Sequence, residues 1–128
     1  MNKRILIAGA VLGALSVILG AFGAHGLKSL VSVEAVNTFE TGVRYQMYHA
    51  FLLLFVGIVP KVQEKAKNIL FYLVLIGVIL FSGSIYALAT NALTAFDFKT
   101  IGFVTPIGGL FLISSWVFLI INFVKNNY

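Results

Sequence analysis

The apolar residues of this chain come in long blocks, not in the alternation of a sheet or the single stripe of a surface helix. Residues 5–24 run for 20 positions without a charge, and at about 1.5 Å per residue such a helix covers the roughly 30 Å hydrocarbon layer of a bilayer. A first span is expected there. Lys3 and Arg4 ahead of it, with the small residues around Ala21 and Gly23, also fit a secretory signal cut after Gly23, but the apolar part of a signal is shorter, roughly 7 to 15 residues. Farther on, Val33, Val36, Phe39 and Val43 recur every three or four positions, with Glu34, Asn37, Thr38, Glu40 and Thr41 between them. That spacing predicts an amphipathic helix, with Ser32 as its N-cap. The uncharged run 45–60 has only 16 residues, so a span over about 43–60 has to continue that helix and take in Val43 and a snorkelling Arg44. Pro60 and Lys61 close it. Residues 69–96 and 100–124 are uncharged for 28 and 25 positions; they predict spans at about 69–90 and 101–124, joined by a turn from Asn91 to Lys99. Lys125 to Tyr128 reads as a short polar tail.

The expected architecture is all-α and polytopic: one domain, residues 1–128, with four transmembrane helices in a bundle and an amphipathic segment leading into the second. Composition agrees. Of 128 residues, 60% are hydrophobic and 10% charged, against about 25% charged in a soluble domain. The bilayer is therefore the first expected partner. No cysteine is present, which excludes disulfides, thiolate nucleophiles and Cys-ligated metal. With four spans, Lys3, Arg4, Lys61, Lys65, Lys67 and Lys125 share one side, and Lys28, Arg44 and Lys99 the other. Six against three predicts a multi-pass protein of the inner or plasma membrane with both termini cytoplasmic. The net charge of +5 is then accounted for by topology and headgroup contact, and no nucleic-acid role is implied.

In lipid, helices associate through close packing of small residues. Gly9, Gly13, Ser16, Gly20 and Gly23 fall on one face of the first span and predict a groove for a neighbouring helix, with Ala10 and Ala14 widening it. Gly77, Gly83, Ser84 and Ala87 suggest a similar surface on the third. The groove serves packing within one chain or, alternatively, a seam between copies or with another membrane protein.

The candidate polar cluster is His25, Lys28, Glu40, Arg44, Tyr45, Gln46, Tyr48 and His49, all near one membrane face. Glu40 and Arg44 are spaced for an i,i+4 pair, and His25, Arg44, Tyr45 and His49 are expected to form one network. His49 lies inside the apolar zone, where an ionisable side chain tends to face the bundle and find a partner. Its leading reading is a neutral imidazole joining two helices. Three other readings compete: a metal or haem clamp between His25 and His49, an intramembrane hydrolase using Ser82 or Ser84 with His49, and a transporter or channel component. Transport would use His49, Tyr45, Asn91 and an irregular backbone segment at Pro106, Gly108 and Gly109. All four carboxylates lie outside the spans, which weakens proton coupling. No catalytic residue, metal or cofactor is assigned, and a non-enzymatic role leads.

The stretches Gly20-Ala21-Phe22-Gly23-Ala24-His25-Gly26-Leu27, Phe39-Glu40-Thr41-Gly42-Val43-Arg44-Tyr45-Gln46-Met47-Tyr48-His49-Ala50, Phe81-Ser82-Gly83-Ser84-Ile85-Tyr86 and Thr105-Pro106-Ile107-Gly108-Gly109 resemble the YgdD/YwdK-like small inner-membrane proteins. That family is a domain of unknown function. The resemblance implies a small polytopic membrane protein without an established substrate, and it adds no catalytic residue.

Overall fold

The computed structural model describes residues 2–126; Met1, Asn127 and Tyr128, the last two in the expected polar tail, lie outside them. Four long helices carry the chain: α1 (Lys3–Ala24), α2 (Val33–Ile58), α3 (Glu64–Ala89) and α4 (Val104–Lys125). Short 3-10 turns sit at Leu27–Ser29, Asn91–Leu93 and Phe98–Ile101. No strand occurs among the described residues.

Consecutive helices run antiparallel and pack in chain order, α1 on α2, α2 on α3 and α3 on α4. The central pair, α2 and α3, holds ten buried residues apiece, whereas α1 and α4 hold four each. The helices long and apolar enough to cross a membrane are α1, α3 and α4; α2 differs from them in its polar content, which its central place in the bundle accommodates. A helix wrapped by neighbours can carry Gln46, His49 and a polar first half, because protein and not lipid receives those groups. The amphipathic segment and the second apolar run are one helix, as the periodicity suggested, starting from the Ser32 cap, whose hydroxyl accepts from the Ala35 N–H at 3.1 Å.

At their N-terminal ends α1 and α3 overrun the expected spans, since a helix need not stop where its charges reach water, whereas α2 stops at Ile58, short of the expected end at 60, and α4 begins only at Val104 after a 3-10 turn in place of the expected start at 101. Lys3 and Arg4 open α1, and Glu64, Lys65 and Lys67 lie in the first turns of α3. The expected basic loop is therefore only the Lys61–Gln63 link, and Lys67 is 3% exposed. Arg4 stands over the Phe71 ring at 4.8 Å and donates to Asn68 Oδ1 at 2.9 Å, which ties the start of α1 to α3.

The glycine face of α1 meets α2. A Cβ on Gly9 would lie 3.1 Å from the Ala50 carbonyl oxygen, one on Gly20 3.5 Å from Val43, and one on Gly23 3.0 Å from Phe39. Ser16 is buried in the same line, and from the α2 side Gly57 faces Leu6. Contacts spaced alternately three and four along both helices make this a coiled-coil-like seam. Ala10 and Ala14 are not part of it; both are exposed, on the outer face of α1. Gly13 is looser, since its added methyl would meet Ala50 Cβ at 3.8 Å, ordinary contact. Gly13→Ala is accordingly expected to leave the unfolding midpoint in detergent nearly unchanged and Gly13→Leu to lower it; equal midpoints for the two would remove the seam from the account.

Against α4, α3 offers Gly77, whose added methyl would collide with Leu112. Gly83 is a correction to the expected packing surface. Nothing lies within 4 Å of the place its Cβ would occupy, because that side of α3 faces away from α2 and α4. Its neighbour Ser84 does pack, exchanging a short hydrogen bond with Thr105 at the start of α4.

Candidate functional site

At about 100° per residue, α2 sends its polar residues in three directions. Gln46 is buried and points between α1 and α3: its Nε2 donates to the Leu12 carbonyl at 2.9 Å, and its Oε1 accepts from the Tyr86 hydroxyl at 2.6 Å. Three helices are joined through one amide. One turn earlier Gly42 gives its carbonyl to the Ser82 hydroxyl at 2.7 Å, and a Cβ there would strike Tyr86 and Ile85. Glycine is needed at that position because α3 comes so close.

Tyr45 and His49 lie on the next face, toward α4. His49 is 4% exposed. Its Nδ1 lies 2.7 Å from the Tyr45 carbonyl, and the indole N–H of Trp116 points to its Nε2 at 3.1 Å. Indole only donates, so Nε2 is the acceptor and the proton resides on Nδ1, donated to Tyr45. This is a neutral imidazole tying α2 to α4. The Tyr45 ring packs on Phe81 at 5.2 Å between centroids. Together Tyr45, His49, Phe81, Gly109, Ile113 and Trp116 border a cleft of about 320 Å³ among α2, α3 and α4.

The third direction is outward. Arg44 is exposed and donates to Thr41 Oγ1 at 3.1 Å, not to Glu40, so the expected i,i+4 ion pair is replaced by an i−3 hydrogen bond. Tyr48 is exposed and meets Tyr45 edge-on. His25 caps the end of α1 with its backbone N–H and is exposed. The single network expected for His25, Arg44, Tyr45 and His49 is therefore split: only Tyr45 and His49 come together, because their four-residue spacing keeps them on one face.

The same geometry removes the other arrangements drawn from spacing alone. His25 and His49 do not converge, and no group of three or more potential metal-binding side chains exists among the described residues. Ser82 is hydrogen-bonded to Gly42, Ser84 to Phe81 and Thr105, and His49 to Tyr45 and Trp116, so neither serine is paired with the imidazole. Pro106, Gly108 and Gly109 are not an irregular segment. They lie in the first turns of α4, where a proline N–H is not needed, and Gly108 is buried where α4 touches α3. Asn91 belongs to the α3–α4 turn, accepting from the Phe98 N–H at 2.7 Å and donating to Asp97.

Sequence reading missed Trp116 and Tyr86. The signal was available: each is an aromatic residue with a polar tip set deep in an apolar run, and such a tip needs a partner when buried.

Residues 19–109 match the family described as a protein of unknown function, DUF423. The chain belongs to that family. A UPF0382 membrane protein of Staphylococcus haemolyticus is 39% identical over 123 residues, 96% of this chain and 97% of the relative. YwdK of Bacillus subtilis, also a UPF0382 membrane protein, is 35% identical over 125 residues, 96% of this chain and 98% of its own. A UPF0382 membrane protein of Haemophilus influenzae is 37% identical over 119 residues, 93% and 92% of the two chains. No solved structure matches the chain. The DUF423 relatives are thus named as membrane proteins of uncharacterised activity, in agreement with the resemblance carried by the Gly-Ala-His-Gly and Arg-Tyr-x-x-x-His stretches and with the three apolar helices.

Proposed function

We propose that this DUF423 protein is a non-enzymatic component of the inner or plasma membrane that crosses the bilayer four times, keeps both termini in the cytoplasm, and acts through helix packing and a membrane partner. One observation carries the reading. Buried Ser16 and Ser115 bond carbonyls of their own helices, and Gln46, Ser82 and His49 hold helices together: Gln46 between Leu12 and Tyr86, Ser82 on Gly42, His49 between Tyr45 and Trp116. A catalytic or ion-relaying group needs a free polar atom facing its substrate, and these have been given to neighbouring helices. Antiparallel packing supports the crossings, since it puts Lys3, Arg4, Lys61, Lys65, Lys67 and Lys125 at one end of the bundle. The partner is a second copy or another membrane protein. The open ground over Gly83 on α3 offers it a close approach.

Reconstituted wild-type protein is expected to pass no more protons or cations than empty liposomes, while His49→Leu lowers unfolding stability by about 1 kcal/mol through the Trp116 N–H left without its acceptor; the Tyr45 carbonyl keeps its backbone bond within α2. Flux in the wild type that His49→Leu abolishes would overturn the proposal in favour of a small transporter. Orientation has its own check. A reporter inserted beside Lys61 is expected to read as cytoplasmic, and an external signal would reverse the topology.

A further inference from the structure

At the end of the bundle away from the basic loop, a second cavity of about 310 Å³ lies among Ala24, Lys28, Val33, Val36, Asn37 and Glu40. It is built from the last residue of α1, the 3-10 turn that follows, and the first two turns of α2. The turn is firmly placed. Leu27 is fully buried against Phe39 and Ala89, and its carbonyl accepts the N–H groups of Leu30 and Val31 at 2.9 and 3.2 Å. Lys28 is therefore presented from a fixed base. Across the cavity Val33, Val36, Asn37 and Glu40 follow at helical spacing along one face of α2.

The walls combine an ammonium, a carboxylate, an amide and three small apolar side chains. Lys28 and Glu40 face the same space without closing on each other as an ion pair, and Arg44, which would otherwise neutralise Glu40, is turned to Thr41. A ligand that complements these walls carries an anionic oxygen for Lys28 and, a few bonds away, a cation with N–H groups for Glu40. The surroundings say where such a ligand resides. With α1 crossing the bilayer as proposed above, the cavity just beyond its end lies at the level of headgroups, and Val33 on its wall is 76% exposed.

We propose that this cavity binds the headgroup of an aminophospholipid of the ethanolamine type, phosphate against Lys28 and primary ammonium against Glu40 with Asn37 beside it. Ala24, Val33 and Val36 receive the methylenes between, and the acyl chains follow the exposed side of α1 into the bilayer. A primary ammonium donates charge-assisted hydrogen bonds to a carboxylate; a quaternary choline cannot, and a glycerol headgroup has no cation. The site is separate from the His49 region and rests on the bilayer crossing proposed above, which a missing lipid preference would leave standing.

The test uses the purified full chain in detergent, offered phosphatidylethanolamine, phosphatidylcholine and phosphatidylglycerol with identical acyl chains, with retained lipid counted by native mass spectrometry. Phosphatidylethanolamine is expected to be retained about tenfold over either competitor, the equivalent of about 1.4 kcal/mol. Glu40→Gln and Lys28→Gln should each abolish that preference, the exchanged pair Lys28→Glu with Glu40→Lys should restore part of it, and Arg44→Gln should leave it intact. Both single changes alter groups at the mouth of the cavity, so a folded variant is expected, and an unaltered size-exclusion profile verifies it. Equal retention of the three lipids overturns the proposal. So does a preference that survives both single variants, or one that Arg44→Gln also removes. Displacement of the lipid by soluble phosphoethanolamine at equal concentration would make the ligand a free zwitterion and overturn the lipid assignment.

Discussion

Gly108→Ala is expected to cost more stability than any other single-methyl change in the bundle, about 2–3 kcal/mol or beyond. The added methyl has nowhere to go. It would overlap the α3 backbone at Leu80 and Phe81, and backbone, unlike the tip of a leucine, cannot rotate aside. The two helices would have to separate, and with them the Gly77–Leu112 contact and the Ser84–Thr105 hydrogen bond on either side of the crossing. Gly83→Ala is the matched control on the facing helix, with open space around the new methyl. There the better helix propensity of alanine is expected to be neutral or to gain up to about 1 kcal/mol. Both are read as the midpoint of helix loss in detergent. A Gly108→Ala protein as stable as wild type would mean that α3 and α4 do not cross as closely as described.

That contrast also marks what a single sequence can and cannot reveal about this chain. The α1 groove was legible because its small residues repeat with the period of a helix seam, and periodicity survives without knowledge of the partner. Gly83 and Gly108 carry no such mark. Each is a glycine in an apolar run, and only the rotation of α3 about its own axis decides that one faces open space and the other a backbone. The Pro106-Gly108-Gly109 stretch leaves two readings open in the sequence, a proline tolerated near the start of the fourth span and an irregular backbone serving transport; α4, which begins at Val104, selects the first, and Gly108 serves close packing. Four helices could be counted from uncharged runs, yet their ends could not, because Lys65 and Lys67 look like loop residues until α3 is seen to begin at Glu64.

The polar cluster shows the same division. Position along the chain placed Arg44, Tyr45, Gln46 and His49 near one level of the membrane, and helical geometry then turned them to different neighbours. Tyr45 and His49 stayed together because four residues return almost to the same face. What spacing could not supply was the other half of each hydrogen bond, which comes from residues dozens of positions away on α1, α3 and α4. His49 was legible as a group in need of a partner, and Trp116 as that partner was not.

Gln46 is where a buried polar group joins the most helices, α1, α2 and α3. Gln46→Leu keeps the size of the side chain and removes both hydrogen bonds, leaving the Tyr86 hydroxyl half-buried without its acceptor; the Leu12 carbonyl keeps the bond from Ser16 at 2.8 Å. The expected loss is about 1–2 kcal/mol. Tyr86→Phe leaves the amide oxygen unpaired from the other side and should cost a similar amount. The double variant tests the pair itself, because neither orphan remains, and its loss should fall short of the sum of the singles by about 0.6 kcal/mol and at most about 1.7, the average and the maximum for hydrogen bonds between membrane helices. Strictly additive losses would show that the two groups do not meet. The size of the double's deficit carries further meaning: a bond that only fastens helices can be exchanged for apolar contact at small cost, since leucine and phenylalanine fill the same space. A double variant that folds normally and keeps its partner would therefore place Gln46 and Tyr86 among the fastenings of the bundle, and turn the search for activity toward its outer surfaces.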